Sequence, residues 1–137
     1  LLAIVTLIVG YWLLFGSGQR VLGQLYISGN PATYVELGGE ADAAGNYEEA
    51  GAYYLRALEL DPSDRTTAIN AANAYIRAGN SGRAATALEY LIAIDPSDPA
   101  PYNTLKQLYP DAASRPQRVT QLLQQGAQNT GDASLAQ

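Results

Sequence analysis

PATYVELGGEADAAGNYEEAGAYYLRALELDPSD, residues 31–64, is followed directly by RTTAINAANAYIRAGNSGRAATALEYLIAIDPSD, residues 65–98. Asp61-Pro62-Ser63-Asp64 recurs as Asp95-Pro96-Ser97-Asp98, and Ala44-Gly45-Asn46 recurs as Ala78-Gly79-Asn80, both at an offset of 34 residues. Two unrelated motifs that share one offset mark an internal repeat, and a period of this length belongs to stacked helical units. Within the first unit the apolar residues Tyr34, Leu37, Ala41, Tyr47, Ala50, Tyr54, Ala57 and Leu58 fall at helical spacing. Each unit is therefore expected to be two helices of about a dozen residues joined by a Gly-Asn turn.

The punctuation has a physical reading. Asn30 is placed to cap the first helix with Pro31 in its first turn, and the Ser and Asp of each DPSD to cap the next helix after proline has ended the previous one. Gly45 and Gly79 supply the left-handed backbone of the turns. Small residues at Gly38, Ala41, Ala50, Ala72 and Ala84 allow close helix approach, while Tyr54, Tyr75, Leu88 and Leu91 fill the spaces between layers. Neither helix pair can bury its apolar face alone, so the units must stack.

At these residues the chain resembles the tetratricopeptide repeat (TPR) family. The first repeat carries the family's Leu37-Gly38, turn Gly45, aromatic Tyr47, Ala50, Tyr54, Ala57 and closing Pro62. The second matches at Ala71-Ala72, Tyr75, Gly79, Ala84, Leu88 and Pro96, but has Ala68 in place of a large residue and Ser81 in place of an aromatic. A third begins with Pro99, Tyr102, Leu105 and Tyr109, then departs at Pro110 and lacks the turn glycine and small alanine. Residues 115–128 read as a final amphipathic capping helix with Val119, Leu122 and Leu123 inward. The fold expected is all-α: a solenoid of about two and a half repeats plus a capping helix, preceded by one hydrophobic helix. The domains are 1–27, a transmembrane or assembly-core helix with its amphipathic extension; 28–128, the TPR domain with repeats at about 31–64, 65–98 and a degenerate 99–128; and 129–137, a polar tail expected to fray.

Residues 1–15, LLAIVTLIVGYWLLF, are uncharged and almost wholly apolar. A helix of that length spans about 22 Å, short of the roughly 30 Å hydrocarbon core, so the span draws on Val21, Leu22, Leu25 and Tyr26 while Arg20 snorkels. Leu1, Ile4, Leu7, Ile8, Tyr11, Trp12 and Phe15 would face lipid or an assembly core. A buried helix of a soluble domain fits less well because the run is apolar on every face. A cleavable signal fits less well because no small-x-small site closes it.

The sequence has 137 residues with neither His nor Cys nor Met, and 13 carboxylates against 8 bases. Without imidazole or thiolate, disulfides, structural zinc, thiol nucleophiles and His-based acid/base catalysis are excluded. The acidic balance and the lone Lys106 argue against a nucleic-acid surface. Glu36, Glu40, Asp42, Glu48, Glu49 and Glu59 lie at solvated helical positions without a calcium-loop pattern. No phosphate loop or nucleophile elbow is present, so no enzyme activity, cofactor, metal or small-molecule substrate is expected.

The resemblance implies a concave face, lined by the first helix of each repeat, that holds peptides or partner proteins. Projected onto this chain the lining is Val35, Gly39, Asp42 and Ala43, then Thr66, Ile69, Asn73, Ile76 and Arg77, then Asn103 and Gln107. The family's carboxylate clamp of Lys, Arg and Asn is represented only by Asn73, Arg77 and Lys106. Tyr53 and Tyr90 fall off the packing face and are available to an interface. The expected function is a non-enzymatic, membrane-anchored module that contacts other proteins as an adaptor, assembly factor or accessory subunit of a membrane complex, with lipid as the second partner. The alternative is a filament subunit resembling type IV pilins, with the apolar helix in the fibre core. It is favoured by an apolar, non-Met start with no basic leader, and opposed by Ile4, Val5 and Thr6 where those pilins carry a glutamate. The expected location is single-pass in a bacterial inner membrane, with the domain leaning to the outside.

Overall fold

The computed structural model describes residues 29–137. The membrane or fibre-core helix assigned to Leu1–Phe15 and its extension lie outside the described residues. Six α-helices follow one another: α1 Pro31–Ala43, α2 Tyr47–Leu60, α3 Arg65–Arg77, α4 Ser81–Ile94, α5 Pro99–Leu108 and α6 Gln117–Thr130. Short 3-10 turns occupy Ala112–Ser114 and Ala133–Ala136. Among the described residues there is no strand, and no helix is long and apolar enough to cross a membrane.

Consecutive helices pack on one another in chain order, as expected of a solenoid in which each unit touches only its neighbours. The turns are made as the glycines require: Gly45 and Gly79 have φ of 79° and 75°. Caps fall where the repeat places them. Asn30 accepts from the Ala32 amide at 3.0 Å, Asp64 from the Thr67 amide at 3.1 Å and Asp98 from the Ala100 amide at 2.9 Å. Asp132 continues the 34-residue register and accepts from the Ser134 amide at 2.9 Å. The tail is therefore not a frayed end. It forms the 3-10 turn Ala133–Ala136, with Leu135 fully buried and Lys106 donating to the Ser134 carbonyl at 2.5 Å.

Three tyrosines hold the layers, each lying on a helical glycine. A Cβ added at Gly38 would stand 2.6 Å from the Tyr54 ring, at Gly51 2.7 Å from Tyr75, and at Gly126 2.5 Å from Tyr102. These rings are 5%, 2% and 0% exposed, and only glycine lets them sit directly on a neighbouring backbone. The third unit, which lacks the family's small alanine, thus obtains its close approach from Gly126. Ala68, the small substitute in the second repeat, is itself fully buried. As expected, α5 ends before Pro110, where Arg115 Nε donates to the Tyr109 carbonyl at 2.7 Å, and Val119, Leu122 and Leu123 of α6 are buried.

The caps also set the pH response. Hydrogen bonds from the Thr67 hydroxyl and amide hold the Asp64 carboxyl below its ordinary range, and the Arg65 guanidinium does the same for Asp98. A depressed carboxylate stabilises the fold above the unfolded pKa, and that contribution is lost as pH falls through the lower folded-state pKa. Burial raises the Tyr54 and Tyr75 phenols, so their contribution is lost as pH rises through the ordinary tyrosine range. With no His in the chain, thermal melts are expected to be flat between about pH 5 and 9, and to decline below about 4 and above about 10. Asp64→Ala should cost about 1 kcal/mol at neutral pH and shrink the acid limb.

Candidate partner-binding face

The first helices of the repeats share one face, and a cleft of about 170 Å³ opens in it between α3 and α5. Its α3 wall is Arg65, Ile69, Ala72, Asn73 and Ile76; its floor is Leu88 and Leu91 of α4; its far wall is Asp98, Ala100, Pro101 and Thr104. Ile69 and Ile76 are 39% and 37% exposed, two of the three large apolar side chains that remain open to solvent among the described residues. They lie seven residues apart, two turns along one helix face, with Asn73 between them.

Of the residues projected to line the face, Ile69, Asn73 and Ile76 meet in this cleft. Val35 packs half-buried against the core, and Thr66 is exposed beyond the cleft. Asn103 and Gln107 are exposed on α5 but do not line it, because α5 turns its Ala100–Pro101–Thr104 edge to the cleft instead. Sequence periodicity did not single out Arg65, Asp98, Ala100, Pro101 or Thr104. The 34-residue offset of Asp98 from the cap Asp64 was the available signal for one of them.

The charges on this face pair with one another. Arg77 donates to Asp42 at 2.8 Å and to the Tyr47 hydroxyl at 2.7 Å, and its guanidinium carbon lies 3.9 Å from the Tyr47 ring centroid. Arg65 donates to Asp98 at 2.5 Å, tying the start of α3 to the cap of α5. Lys106 is engaged by Ser134. The clamp cations suggested by the sequence are thus bound internally, and Asp42 and Arg77, both projected as partner contacts, contact each other. On the opposite side, Tyr90 lines a second depression with Arg56, Arg83 and Thr86, and Tyr53 packs half-buried against the core. Among the described residues no group of carboxylates is arranged to hold a metal ion.

Comparison with known proteins agrees with this architecture. The family model described as tetratricopeptide repeat matches residues 43–109. No curated protein matches the chain. The crystal structure of MamA protein is similar in fold, with a TM-score of 0.54 at 19% identity, over 77% of this chain and 57% of the MamA chain. This chain thus spans little more than half the length of that structure, and the likeness concerns the fold alone. Residues 43–109 match the tetratricopeptide repeat model, and within the described residues they fold as stacked helix pairs.

Proposed function

We propose that this protein is a non-enzymatic interaction module that docks partner proteins on its concave face, and that the apolar run at residues 1–15 anchors it to a membrane. The observation that carries the first half is the α3–α5 cleft, where Ile69 and Ile76 stay exposed beside an apolar floor; among the described residues only Leu60 is a comparably open large apolar side chain. An apolar recess rimmed by polar groups is what a docking protein leaves open. The anchoring half rests on sequence, on fifteen consecutive residues without a charge. With both halves in place the protein would serve as an adaptor, assembly factor or accessory subunit beside membrane components, in a bacterial inner membrane.

The experiment is crosslinking of the protein in its native membranes, followed by mass spectrometry. A carboxylate-reactive linker suits a chain with 13 carboxylates and one lysine. Recovery of the chain in the membrane fraction, with crosslinks to other membrane-associated proteins from Glu36 and Glu40 of α1 and from Asp64 and Asp98, the caps of α3 and α5, is the expected outcome. A chain recovered in the soluble fraction, or crosslinked only through Glu48, Glu49, Glu59 and Glu89 of α2 and α4, would sink the proposal.

A further inference from the structure

The chemistry of the occupant follows from what the cleft offers and what it withholds, taking the docking reading above as its basis. At about 170 Å³ the recess has the size of one large aliphatic or aromatic side chain, and its floor of Leu88 and Leu91 gives such a group an apolar seat. Ile69 and Ile76 stand two turns apart, about 10.5 Å by helical rise, which is the i to i+7 repeat of an amphipathic helix laid along α3. No free cation waits at either end: Arg65 is bound to Asp98 and Arg77 to Asp42 and Tyr47. A terminal carboxylate entering here would have to displace one of those acids.

The surrounding field is of the opposite sign. The first helix pair, residues 31–64, carries eight carboxylates and one base, Arg56, whereas residues 65–137 carry five carboxylates and six bases. The Asp42–Arg77 bridge places this acidic pair directly beside the α3 wall. Glu36 and Glu40 remain exposed on α1, so a basic flank extending past Ile76 would enter a negative potential.

We infer that the cleft takes one large apolar side chain from an internal amphipathic helical segment of a partner protein, flanked by Lys or Arg on the α1 side, and not a carboxyl terminus. The test displays random segments of about sixteen residues, some four helical turns, in two formats: embedded in a carrier protein, or ending in a free carboxylate. Both are selected against the full chain. The embedded format should enrich large apolar residues at i, i+3 or i+4 and i+7 with a basic flank. Affinity for the enriched segments should fall roughly tenfold or more in Ile69→Glu and Ile76→Glu, the effect of removing an interface anchor. Both positions are solvent-facing, and an unchanged melting curve verifies that the variants remain folded. Enrichment confined to free carboxylates, enrichment of acidic flanks, affinity that survives both Ile substitutions, or no enrichment in either format would each overturn the inference. A native partner that still crosslinks at Asp64 and Asp98, the caps of α3 and α5, in that case leaves the docking reading standing and removes only the stated partner chemistry.

Discussion

Tyr102→Ala is expected to lower the unfolding free energy by about 3–5 kcal/mol, the cost of truncating a large buried aromatic. At roughly 4 °C or somewhat more per kcal/mol for a domain of this size, the melting point should fall by about 12 °C or more. The ring is 0% exposed, lies on the backbone of Gly126 and donates through its hydroxyl to the Pro96 carbonyl at 2.9 Å. It therefore joins α5, α6 and the loop that ends α4, three pieces of the least regular unit. Gly126 supplies the reciprocal test. Gly→Ala in a helix normally stabilises by about 1 kcal/mol, but here the new Cβ would stand 2.5 Å from a ring with nowhere to move, an overpacking that costs roughly 1–3 kcal/mol. Gly126→Ala should thus destabilise the parent and become neutral or stabilising once Tyr102 is alanine. Calorimetry of the two single variants and the double variant reads that reversal. Equal effects of Gly126→Ala in both backgrounds would show that the ring does not rest there.

Leu135→Ala should cost about 2–3 kcal/mol, the lower part of the range for buried leucine. Leu135 is 0% exposed, held by the turn that Asp132 caps and that Lys106 ties to α5. The neighbouring exposed Ala136 provides the contrast: substitution there should change stability by less than about 0.5 kcal/mol. Limited proteolysis separates this account from a loose tail. The parent should resist cleavage after residue 131 at enzyme levels that clip Leu135→Ala, and equal cleavage of both would contradict the assignment.

Features governed by local rules were legible in the sequence. A proline that ends one helix before the carboxylate that caps the next, a glycine forced to positive φ and a proline that halts α5 are each decided within a few residues, and the 34-residue offset carried the first two from one unit to the next. Leu135 and Asp132 escaped notice because a single apolar residue in a polar nonapeptide gives no periodicity, although Asp132 stands in the same register as Asn30, Asp64 and Asp98. Gly126 escaped because the place where Tyr102 rests depends on how α5 and α6 cross after an irregular loop.

At the partner-binding face, the exposed Ile69, Asn73 and Ile76 follow from helix position alone. The far wall of the cleft does not, since it depends on which edge α5 presents after stacking. Nor does sequence spacing reveal that Asp42 and Arg77, thirty-five residues apart and both pointing to the concave side, neutralise one another. That pairing converts two apparent recognition residues into a brace between repeats and changes the chemistry the face can recognise.

The central claim is that partners are held at the α3–α5 cleft. A photoreactive amino acid placed at position 73, inside the cleft, and at position 86, on the opposite side beside Tyr90, tests it most directly in the intact protein in its native membranes. The account predicts a partner adduct from position 73 that disappears with Ile69→Glu, and none from position 86. An adduct from position 86 with none from position 73 would contradict it.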